Sequence, residues 1–104
     1  MLNAYRDTTY YMCEMKGWNR VPVERVWFLL TEEIGELASA IRKYIGVYQK
    51  MGVKKISGTD VQMEMGDVFS YLFQLASMLN IDLDEMWHLH QSKFYNKNYY
   101  IDQQ

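Results

Sequence analysis

The chain has 104 residues, 49% of them apolar and 15% aromatic, which suffices for one buried core, leaves too little for two, and shows no bias toward disorder. A formal net charge of −2, from 11 basic and 13 acidic side chains, gives no general attraction to nucleic acid or to an anionic membrane surface. Cys13 is the sole cysteine, which excludes an internal disulfide; with no apolar run of signal-peptide or bilayer-spanning length, a single soluble domain over residues 1–104 in the cytosol is expected.

Four helices are predicted, in chain order. The first runs from Leu2 to Lys16 and stops at Gly17, a residue suited to the left-handed position past a helix end. The second starts at Pro22, the only proline, and continues to about Gln49; Val23, Val26, Trp27, Leu30, Ile34, Leu37, Ile41, Tyr44, Ile45 and Tyr48 form its apolar stripe. A Gly- and Lys-rich loop from Met51 to Gly58 follows. Thr59 and Gln62 then have capping-box spacing for a third helix reaching about Leu79, with Val61, Met65, Val68, Leu72, Leu75 and Leu79 on its apolar face. Asp82 and Glu85 repeat the cap spacing for a fourth helix through about Tyr95. No segment alternates as a strand would, so the expected fold is an all-α, four-helix bundle-like domain. Four short helices cannot cover so many Tyr and Trp side chains, which predicts a homo-oligomer sharing its core, a tetramer ahead of a dimer.

The chemistry concentrates in Glu32-Glu33-Ile34-Gly35-Glu36 on the second helix and Glu64-Met65-Gly66-Asp67 on the third. Each holds acids at i and i+3, neighbours on one helix face. Solvated glutamate pairs are common, but these are not on the far side from the core. Glu33 falls roughly 20° from Val26 and Tyr44, and Glu64 about 20° from both Leu75 and Tyr71, with Glu36 and Asp67 flanking them. Carboxylates converging on such a seam need protons or a cation to offset lost hydration. Oxygen-only donors select a hard ion, Mg²⁺ or in its place Mn²⁺, over zinc. Gly35 and Gly66, inside the two acid pairs, suggest a close approach of the two helices.

These motifs resemble the MazG-like nucleotide pyrophosphohydrolases of the all-α triphosphate pyrophosphatase superfamily, whose pattern is Glu-Glu-x-x-Glu followed on the next helix by Glu-x-x-Asp. The similarity extends from about Trp27 to Asp84. It implies Mg²⁺-dependent hydrolysis of a nucleoside triphosphate, a deoxynucleotide in nucleotide-pool housecleaning, to the monophosphate and pyrophosphate. It also implies metal ligands at Glu33, Glu36, Glu64 and Asp67, the four acids on the seam. Glu36 or Glu32 would then act as base toward water. By the same resemblance Trp18 and Tyr71 contact the nucleotide, although either side chain would serve equally as packing. Lys93 and Asn96 are the best match to the family's phosphate-contacting Lys and Asn; their spacing is one residue short, and Lys97 competes. A second tryptophan found in some deoxycytidine-selective relatives is replaced in that region by Lys43.

Two other functions are compatible with the residues. One is a non-catalytic oligomeric module that binds a partner through its helices. The other is a carboxylate-bridged di-iron bundle, for which Glu85-Met86-Trp87-His88 supplies one Glu-x-x-His where two are needed.

Overall fold

The computed structural model describes residues 1–48, 51–52 and 55–96. Among them the elements are α1 (Leu2–Lys16), a 3₁₀ turn (Trp18–Arg20), α2 (Val23–Ile45), α3 (Gly58–Met78) and α4 (Leu83–Asn96), with no strand. The all-α expectation holds, and α1 has the predicted bounds. Gly17, at φ 73°, ends it by donating its N–H to the carbonyls of Cys13 and Glu14.

Two boundaries differ from the sequence expectation. Helix α2 stops at Ile45 because Gly46 takes φ 78° and returns its N–H to Arg42; Gln49 lies outside the described residues. Helix α3 is capped by Ser57, not Thr59. Ser57 Oγ accepts from the Asp60 N–H at 3.3 Å, and Asp60 Oδ2 accepts from the Ser57 N–H at 3.0 Å, a complete capping box two residues early. Asn80, at φ 55°, follows the end of α3, and the Ile81 N–H reaches back to the Ala76 carbonyl at 2.8 Å. The Glu85 N–H donates to Asp82 Oδ1 at 3.0 Å, as the cap spacing predicts for α4.

Helices α2 and α3 pack along one another, α1 packs on α3, and α4 packs on α1. Tyr44, near the end of α2, meets Gly58 at the start of α3, while Val26 and Gln74 share a cavity wall near the other ends. The pair is therefore antiparallel. The starts of α1 and α4 interlock: Asp84 Oδ1 accepts from the Leu2 N–H at 2.7 Å, Asn3 Nδ2 donates to Asp82 Oδ1 at 2.9 Å, and Asn3 Oδ1 accepts from the Leu83 N–H at 2.8 Å.

The apolar core of the single chain is small, comprising Cys13, Val26, Leu30, Ala40, Ala76 and Leu83. Much of the predicted stripe is uncovered, including Trp27, Ile34 and Ile41 on α2, Met65 and Leu72 on α3, and Leu79 just past its end. The accessible surface is 8576 Å², against about 6,200 Å² for a compact monomer of 12.5 kDa. Gly35 and Gly66 do not serve a close approach within the chain, since nothing lies within 4 Å of where either Cβ would stand.

Candidate functional site

The antiparallel pairing sets the middle of α2 beside the first half of α3, where Glu33 meets Glu64 and Asp67. One carboxylate oxygen from each of the three lies within 4.8 Å of the other two. Glu33 and Glu64 are half-buried and Asp67 is exposed. Oε2 of Glu33 and Oε2 of Glu64 are shut off from solvent and have no hydrogen-bond partner. Burial pushes the Glu33 carboxyl above its ordinary value of 4.5, and the charges of Glu36 and Asp67, a side-chain hydrogen bond with Glu36 and the charge of Glu64 add to the rise. Two orphaned carboxylate oxygens beside a third acid form a donor set that fits a hard divalent cation.

Glu36 is exposed and stands outside that trio, acting on Glu33 by charge and hydrogen bond. With Glu64 and Lys43 it lines a groove of about 330 Å³. Glu32 is exposed as well, on the Tyr71 side, where its charge contributes to raising the tyrosine.

A cavity of about 430 Å³ adjoins the acids through Asp67, and α1, the 3₁₀ turn, α2 and α3 all contribute to its wall. Trp18 and Tyr71 both line it. Lys16 Nζ sits 5.2 Å from the Trp18 ring centroid. Burial raises the Tyr71 hydroxyl, helped by the charges of Glu33, Asp67 and Glu32, so it stays a protonated donor facing acids. Arg25, Gln74, Cys13, Thr9 and Ser70 also line it. Burial, with the charge of Glu14, raises the Cys13 thiol, which keeps it protonated.

Residues 23–98 match the model of the MazG nucleotide pyrophosphohydrolase domain. The chain belongs to the MazG family. A relative 36% identical over 85 residues, covering 77% of this chain and 79% of its own length, is the uncharacterized protein YvdC of Bacillus subtilis (strain 168). No solved structure matches the chain. Family membership carries nucleotide pyrophosphohydrolase chemistry in general terms. The MazG match spans all the acids together with Tyr71, Gln74, Lys93 and Asn96, whereas Trp18 and Cys13 precede it.

Within the single MazG chain, Lys93 and Asn96 are exposed near the end of α4 and line neither cavity; Lys97 lies outside the described residues. Glu85 and His88 are exposed on the same helix, and the potential metal group found among the described residues, Glu33, Glu64 and Asp67, contains no histidine. Arg25 and Gln74 escaped the sequence reading. For Gln74 a signal existed: it follows Asp67 by seven residues, two helical turns, and so shares its face. No helix among the described residues is long and apolar enough to cross a membrane.

Proposed function

We propose that this MazG domain hydrolyses a nucleoside triphosphate, a deoxynucleotide in a housecleaning role, to the monophosphate and pyrophosphate, with Mg²⁺ or Mn²⁺ held by Glu33, Glu36, Glu64 and Asp67. The observation that carries this is the convergence of Glu33, Glu64 and Asp67, one carboxylate oxygen of each within 4.8 Å of the others, with a buried, partnerless oxygen on both glutamates and a cavity of about 430 Å³ adjoining the group through Asp67. When bound, the cation supplies charge neutralisation at the phosphate oxygens and activation of water.

The chain's own residues supply the rest. The cavity takes the nucleoside, the Trp18 ring offers a stacking surface, and the Tyr71 hydroxyl donates a hydrogen bond from beside the acids. Asp67, shared by cavity and acid group, marks where sugar gives way to phosphate. Glu36 or Glu32 takes a proton from water as the water oxygen bonds to a phosphorus of the α–β bridge. The bond from that phosphorus to the bridging oxygen breaks, and its electron pair stays on the bridging oxygen, which leaves with pyrophosphate when the α-phosphorus is attacked and with the monophosphate when the β-phosphorus is.

A second copy of the chain covers the exposed apolar face in this proposal. Trp27, Ile34 and Ile41 recur every seven residues on α2 at 50%, 48% and 38% exposure, an apolar stripe that a neighbouring chain would cover. A phosphate role for Lys93 and Asn96 requires α4 of such a neighbour. Sedimentation should give a tetramer or dimer; a monomer at micromolar concentration would remove this part.

The enzymatic reading is tested with canonical and modified triphosphates plus Mg²⁺, scored for pyrophosphate against orthophosphate. Pyrophosphate should be the first product, and Asp67→Asn should abolish its release while leaving the circular dichroism of a folded helical protein. Orthophosphate appearing first, or full activity of Asp67→Asn, contradicts the proposal.

A further inference from the structure

Gln74 is a buried polar side chain, 4% exposed, in a cavity wall otherwise rich in apolar groups such as Met12, Val26 and Leu29. Two hydrogen bonds hold its amide, and both leave from Nε2, to the Trp18 carbonyl at 3.1 Å and to Asn19 Oδ1 at 3.5 Å. Asn19 cannot turn its amide round without loss, because its own Nδ2 donates to Glu14 Oε1 at 2.9 Å and to the Tyr10 carbonyl at 3.3 Å. Carbonyls and carboxylates only accept, so this chain of contacts determines which end of each amide is nitrogen. What Gln74 has left for a ligand is Oε1, a pure acceptor on a side chain enclosed by the fold. An acceptor held in an apolar wall is satisfied by a ligand N–H and penalises a ligand that lacks one.

The same cavity presents the Trp18 ring and reaches the acids through Asp67. A base stacked on Trp18 with its phosphates toward Asp67 would have its edge as the part free to meet Gln74. We propose that Gln74 reads the nucleobase, accepting at Oε1 a hydrogen bond from an amino or imino N–H of the base edge, while Nε2 holds the Trp18 segment in place. The ligand class is a nucleotide whose base edge is unsubstituted at that nitrogen; N-alkylated bases are rejected. This inference rests on the pyrophosphohydrolase reading above and concerns the base half of the same site.

The test compares wild type with Gln74→Met, which keeps the volume but removes the Oε1 acceptor together with the Nε2 donor, on two substrates, and the methylated-base comparison in wild type separates the acceptor from the support of Trp18. One is the best of the five common deoxynucleoside triphosphates, and the other is ribose 5-triphosphate, which has no base. Gln74→Met should lose about 10- to 100-fold in kcat/KM on the nucleotide and stay within about twofold on ribose 5-triphosphate. Wild type, needing no variant, should also discriminate about 10-fold or more against the preferred nucleotide methylated at its edge N–H. Equal losses on both substrates together with no discrimination against the methylated base would make Gln74 a structural prop and overturn the inference. No loss on either substrate would overturn it too. If wild type turns over none of these triphosphates, the parent reading fails and this one with it.

Discussion

Replacing Glu33 by Gln separates a metal-binding carboxylate from a merely tolerated one, because its effect on stability should reverse sign with the cation. The oxygens of Glu33, Glu64 and Asp67 lie within 4.8 Å of one another. At that distance and an effective dielectric of about 20, each pair of negative charges repels by about 3 kcal/mol. The exposure of Asp67 and salt screening reduce what Glu33 contributes to about 1–2 kcal/mol. Glu33→Gln keeps the shape and removes the charge, so without metal it should be the more stable protein, with Tm higher by about 4–8 °C for each kcal/mol. Added Mg²⁺ should stabilise wild type, by about 2.7 kcal/mol at a hundredfold excess over Kd, and the variant far less. The order of stabilities therefore inverts. The assay is thermal unfolding by circular dichroism at pH 7.5, with EDTA and then Mg²⁺, at one protein concentration because an oligomer's Tm depends on it. A variant less stable than wild type in EDTA, or an equal gain from Mg²⁺ in both, would refute the charge argument.

Other outcomes follow from the same geometry. The raised Glu33 carboxyl favours the protonated form in the fold, so its contribution is full below 4.5 and is lost as pH rises through the folded value; urea midpoints of the metal-free protein should fall as pH rises above 4.5, and Mg²⁺ should flatten that slope. Asp82, held low by the Glu85 N–H and by Asn3, and Asp84, held low chiefly by the terminal amine and then by the Leu2 N–H, act oppositely. Their contribution is lost as pH falls below their ordinary 3.8, so stability should drop again in acid. Trp18→Ala should lower kcat/KM for nucleotides by about tenfold or more, the loss expected of a stacking surface, with steady-state kinetics as the readout. Ser57→Ala should cost about 1 kcal/mol in chemical unfolding and Thr59→Ala almost nothing, a direct check of which residue caps α3.

The acid constellation is legible in the sequence because helical geometry alone sets angles: Glu33 falls at the edge of one apolar stripe and Glu64 within the other, between Leu75 and Tyr71, and in the fold they meet across the α2–α3 seam. Trp18 and Tyr71 line one cavity, yet nothing local in the sequence could have linked them, since they are joined only by the packing of α1 on α3. The cap of α3 was misplaced because Ser57 and Thr59 both precede an acid or amide by three residues, and spacing cannot rank them. The stop of α2 was set too far along because Gly46 and Gly52 are equal breakers on paper; the first one to adopt positive φ ends the helix. The periodic stripes were real, but periodicity names an apolar face without naming what covers it. Hence Trp27, Ile34 and Ile41 belong to a core-facing stripe by spacing and lie open in one chain.

The interlocked starts of α1 and α4 bear on how the molecule assembles in time. Contacts between residues about 80 positions apart close nearly the whole chain into a ring, and loop entropy makes such contacts late ones. The α2–α3 hairpin needs only its own short connection. On a ribosome the first turn of α1 would wait for Asp84 to emerge before the Leu2 N–H found its acceptor, and for Asp82 before the Asn3 side-chain amide found its own, so the start of α1 is secured last.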